Sequence, residues 1–106
     1  KPTYGLSEDA MKEMILDSHR HAQADMQKRM LAQAITKAKQ LIKVVEQALI
    51  VDGDLLSKTE RSQIHAAMDA LSNTLLDEDR DHITESMERL NHLTTEFAHK
   101  RLQKYL

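Results

Sequence analysis

Six histidines are spread through a chain of 106 residues that has no cysteine, so any metal or acid–base chemistry must come from imidazole and carboxylate groups. His19 and His21 are two apart and point to different sides of a helix, which rules out shared chelation. His21 with Asp25, His65 with Asp69, and His92 with Glu96 have the i,i+4 spacing at which helical side chains meet. Glu96-Phe97-Ala98-His99 has the Glu-x-x-His form found in di-iron helical bundles, but such sites need two copies and two further inward carboxylates. There is one copy here, so these groups are read as surface ion pairs and solvated imidazoles, with no metal ligands. No nucleophile elbow or catalytic triad is present, and two glycines cannot build a phosphate cradle. Asp77 and Asp79 sit in an acidic turn, where helix capping accounts for them. No catalytic or cofactor-binding residue is expected in this segment, and it is read as no enzyme.

The elements that carry these residues are helices. Two Gly and one Pro leave few turns, while apolar residues at 41% and charged residues at 30% fit one soluble domain with a modest core. Aromatics at 3% make that core aliphatic and give bases or sugars little to stack on; a net charge of -2 argues against nucleic acid. No apolar run is long enough to span a membrane, and no signal peptide is visible. Ser7 reads as an N-cap with Glu8 and Asp9 in the first turn, and Leu6 is placed to staple onto Met11. A short first helix is expected to end or bend near Asp17 to His19. The next stretch runs to Val51 without Gly or Pro, roughly 50 Å of helix. Asp52-Gly53-Asp54 closes it, with Gly53 as the left-handed terminal residue. Ser57-Lys58-Thr59-Glu60 is a capping box for another helix to about Leu75, and the acidic run from Asp77 to Asp81 opens the last one, towards Lys104.

Leu31, Ala34, Ile35, Ala38, Leu41, Ile42, Val45, Ala48 and Leu49 recur at spacings of three and four on one helix face. Ile64, Ala67, Met68, Leu71 and Leu75 answer on the next helix. Ile83, Met87, Leu90, Phe97 and Leu102 answer on the last. The expected fold is all-α: a short first helix, then a long second helix whose C-terminal half forms an antiparallel three-helix bundle with two later helices. The first part of the long helix does not share this phase. Ala22, Met26 and Met30 centre about 110° from the downstream stripe. Met11, Met14, Met26 and Met30 are four of the six methionines, a flexible side chain suited to surfaces that open and close. Residues 1–6 are expected to be a strand or linker remnant, 7–30 an arm, and 31–106 the bundle. Charge is uneven as well: residues 18–50 hold six basic against two acidic side chains, and residues 51–96 hold four against eleven. An uncovered arm of this kind is expected to find a partner, so the segment is expected to dimerise or to swap its first helices.

"YGLSEDAMKEMILDSHRHAQAD" resembles the junction between the peptide-binding β-sandwich and the helical lid of DnaK-type heat-shock chaperones. "KPTYGL", "MILDS" and "KRMLA" are similar to the family branch that serves iron–sulfur cluster assembly. The resemblance spans nearly the whole chain, and its specificity lies in residues 1–34. It implies a piece of a longer cytoplasmic protein: a lid that closes over client peptide. ATP and Mg would be held by a separate ATPase domain. The implied partners are the β-sandwich of the same chain, a client peptide or iron–sulfur scaffold protein, and a J-domain co-chaperone. The implied docking face is Met11, Met14, Ile15, Ala22, Met26 and Met30, with Asp25, Arg29, Lys39 and Lys43 as polar contacts at its edges. General members of the family latch the lid with an Asp and a His on the long helix. Those positions fall on Lys39 and Lys43 here, so the same acidic latch cannot form. The alternative is a stand-alone helical module that binds a partner helix along the same arm.

Overall fold

The computed structural model describes residues 7–106. Three helices make up this part of the chain: α1 over Glu8–Asp52, α2 over Lys58–Asp77 and α3 over Arg80–Tyr105, with a 3₁₀ turn at Gly53–Leu55 between the first two. Ser7 caps α1 by accepting the Ala10 amide at 3.1 Å. The staple from Leu6, and the strand or linker assigned to residues 1–6, lie outside the described residues.

The all-α class and the bundle hold, with one difference in how the helices divide. Where the sequence suggests a short helix followed by a long one, α1 is a single helix of 45 residues. Asp17 was the expected end of the first helix, yet its groups work inside the helix. Arg20 Nη1 reaches Asp17 Oδ1 at 3.4 Å, and the His21 ring donates from Nδ1 to the Asp17 carbonyl at 2.7 Å. With no Gly or Pro between residues 8 and 52, nothing forces the backbone out of its i→i−4 ladder.

Gly53 also differs from expectation. It takes no left-handed conformation and instead begins the 3₁₀ turn. Its carbonyl accepts from Arg61 Nη2 at 2.6 Å and from the Leu56 amide at 3.2 Å. A Cβ there would stand 3.4 Å from the Arg61 guanidinium, an ordinary contact distance, so space alone does not require glycine at this position. The capping box forms as read: Ser57 Oγ accepts from the Glu60 amide and Glu60 Oε1 from the Ser57 amide, each at 3.1 Å. Helix α2 ends on Glu78, the one positive-φ non-glycine residue described, at 53°. Asp79 then caps α3 by accepting from the Asp81 and His82 amides at 3.0 and 3.3 Å.

The chain divides into two units, one ending at Met30 and one covering Leu31–Leu106. In the second, Ala38, Val45 and Ala48 of α1 pack with Ile64, Ala67, Met68 and Leu71 of α2 and with Ile83, Leu90 and Phe97 of α3. Leu31, Ala34, Ile35, Leu41, Ile42, Leu49, Leu75 and Met87 flank them, half-buried. The short connections fold successive helices back on one another, and the period of three and four supplies each with one apolar stripe. Leu102 was expected on that stripe and is instead 58% exposed. The core side of this last stretch of α3 is held by Arg101 and Lys104, which turn toward Asp52.

Candidate docking surface

The first unit is a helical segment of α1 with large apolar side chains facing solvent. Met11, Met14, Ile15, Met26 and Met30 are between 38% and 66% exposed, and Ala22 is exposed as well. These six are the docking face that the resemblance implies, and the structure puts all of them on α1, where the sequence reading had divided them between two helices. Leu16, which the stripe does not include, is also exposed. Asp25 and Arg29 lie on the same unit and are exposed, one helical turn apart. Lys39 and Lys43 are exposed too, but they belong to the Leu31–Leu106 unit.

The histidines give little support to site chemistry. His21 engages the Asp17 carbonyl, not Asp25, and His99 Nε2 lies 3.3 Å from Gln103 Nε2, not at Glu96. His82 Nδ1 lies 3.5 Å from its own capping residue, Asp79. Among the described residues, no group of three or more His, Asp or Glu side chains is arranged to hold a metal ion. No helix among them is long and apolar enough to cross a membrane.

The most organised polar cluster is one that stripe reading overlooks. Asp52, the last residue of α1, is fully buried. Arg101 Nε meets its Oδ2 at 2.7 Å, Lys104 Nζ its Oδ1 at 2.5 Å, and the Tyr105 hydroxyl lies 3.3 Å from both oxygens. The hydrogen bonds from Lys104 and then Arg101 hold the Asp52 carboxyl below its ordinary range, outweighing the opposing effect of burial. Asp52 in turn raises Lys104. The Arg101 guanidinium also lies over the Phe97 ring, 5.9 Å from its centroid. Nearby, Lys100 reaches Glu60 at 3.4 Å and ties α3 to the start of α2. A signal for Asp52 was present: it continues the phase of Val45 and Ala48, while Lys104 continues the seven-residue step from Ile83 through Leu90 and Phe97. Two core stripes ending in opposite charges mark a pair, because a buried carboxylate requires a cation.

The described residues form a three-helix bundle with a methionine-rich apolar face near the start of the longest helix. The chain belongs to the Hsp70 family, whose model, described as Hsp70 protein, matches residues 1–103. Among its relatives is the chaperone protein HscA homolog of Cupriavidus taiwanensis, 39% identical over 104 residues, which are 98% of this chain and 17% of that protein. The HscA homolog of Shewanella sp. (strain ANA-3) is 39% identical over 102 residues, 96% of this chain and 16% of that one. That of Burkholderia mallei is 38% identical over 104 residues, 98% and 17%. The chain therefore spans about one sixth of the length of these relatives. The match falls in their C-terminal part, outside any ATPase domain.

Proposed function

We propose that this chain is the lid of the peptide-binding region of an ATP-dependent chaperone, and that it closes over a bound client. The observation that carries this reading is the exposed face of Met11, Met14, Ile15, Ala22, Met26 and Met30 on a helix whose downstream half is already committed to its own bundle. A soluble monomer rarely leaves a contiguous apolar patch without a use. Here the use is to lie against the β-sandwich of the same protein, with Asp25, Arg29, Lys39 and Lys43 as polar contacts. The clients are proteins of iron–sulfur cluster maturation, a reading supported by the HscA homologs among the relatives. ATP, Mg and a J-domain co-chaperone act on the rest of the protein.

Closure works as a shift between two populations. A closed lid slows client release, and nucleotide-linked opening restores it. The lid needs no extensive contact with the client, since covering the exit is enough. The test is the rate of labelled-peptide release from the full-length protein, with and without residues 18–106. Faster release from the shortened protein is expected. Equal rates would overturn the lid reading.

A further inference from the structure

We propose that the cavity where α1 meets α2 binds a short extended peptide segment that is aliphatic and carries no net charge. The cavity opens to solvent beside the 3₁₀ turn and has a volume of about 670 Å³, within the range of small-ligand sites. It lies wholly in the Leu31–Leu106 unit and uses none of the residues of the face described above. Leu49, Ile50 and Val51 of α1 give it an aliphatic wall, and the bundle core leaves Ile50 and Val51 exposed. Arg61 and His65, one helical turn apart, are the contribution of α2.

Charge decides the occupant. Glu46 of α1 and Asp54 of the turn line the same cavity, yet Arg61 forms an ion pair with neither; its Nη2 donates to the Gly53 carbonyl. The neighbouring cations Lys100, Arg101 and Lys104, by contrast, each meet a carboxylate. A carboxylate ligand would be drawn to Arg61 and repelled by Glu46 and Asp54, and an ammonium ligand would meet the reverse. A peptide group has no charge to be repelled. It offers a carbonyl to the remaining Arg61 donors and an N–H to the carboxylate of Glu46 or Asp54. Its aliphatic side chains then cover Ile50 and Val51. The site is open, so the contact is weak, with a dissociation constant on the order of 1 mM. The proposal does not depend on the lid reading, because the peptide is held by the bundle itself.

The probe is acetyl-Leu-Val-Leu-amide, titrated into the isotopically labelled chain and followed by backbone amide shifts. Saturable shifts are expected at residues 46–54 and 61–65. The same peptide with a free carboxylate, or with a free amine, should bind about threefold more weakly. Glu46→Lys makes the cavity basic and should reverse the order of the amide and the free acid. Ile50 is 75% exposed, so Ile50→Ser leaves the core intact, and it should weaken the blocked peptide about threefold. Circular dichroism confirms that each variant is folded. Shifts that do not saturate, shifts confined to residues 11–30, charged peptides that bind as tightly as the blocked one, or variants that bind like the parent would overturn the proposal. Peptide release from the full-length protein is a separate measurement, so this proposal and the lid reading fail separately.

Discussion

Asp52 sits where a helix least favours it. A carboxylate in the last turn meets the negative end of the helix dipole, and α1 has no basic residue there to offset it. Arg101 and Lys104 supply that offset from α3, and Tyr105 adds a hydroxyl. Removing the acid strands two cations around a buried cavity, and removing a cation strands the acid. Asp52→Ala should therefore lower the thermal midpoint by roughly 10 °C or more, measured by circular dichroism. Exchanging all three charged members for apolar residues should recover much of the loss. Asp52 is held below its ordinary value of 3.8, and Glu60 below 4.5, the latter through the Ser57 amide and hydroxyl and then Lys100. Both are protonated more readily in the unfolded chain, so their stabilisation is present above those values and is lost as pH falls through the depressed folded ones. Lys104 is raised above 10.5, so its share is present below that value and is lost as pH climbs through the folded one. The thermal midpoint should respond to these groups only in strong acid and strong base. In Asp52→Ala, the acid-side loss should be smaller than in the parent.

Among the elements, the ends were more legible than the joins. Ser57 and Glu60 announce the start of α2 by type and spacing, and both reciprocal bonds form. Ser57→Ala should cost about 1 kcal/mol in denaturant unfolding, with no change in helix count. Asp79 could be read the same way, because a cap needs only local chemistry. Joins depend on competition that a sequence does not display. Asp17 and Ser18 suit a cap, but with no breaker nearby the cooperative ladder of α1 continues through them. Gly53 suits a left-handed stop, but Arg61 from the next helix reaches back to its carbonyl and leaves that stop without a purpose. Leu102 continued an apolar count, yet ionic partners ended the core one turn earlier. The offset of Ala22, Met26 and Met30 from the downstream stripe was legible from the angle per residue alone, whereas Met11, Met14 and Ile15 could be set in phase with them only once α1 proved to be one helix. The Asp52 cluster was less so, because its members stand about fifty positions apart in the sequence.

At the scale of the molecule, a single helix serves two units of unequal standing. Ala38, Val45 and Ala48 are buried among side chains of α2 and α3, whereas the described residues before Met30 are almost all exposed on the same continuous backbone. Hydrogen bonds of equal geometry are therefore defended very unequally. Those inside the bundle open only with the bundle itself, while those near the start open by fraying from the Ser7 end. Hydrogen–deuterium exchange should record this as a slope along α1, with amides at 38–48 slow and those at 10–25 fast. A helix with such a gradient holds one end ready to be ordered by whatever settles on it, and its own thermal motion registers when that has happened.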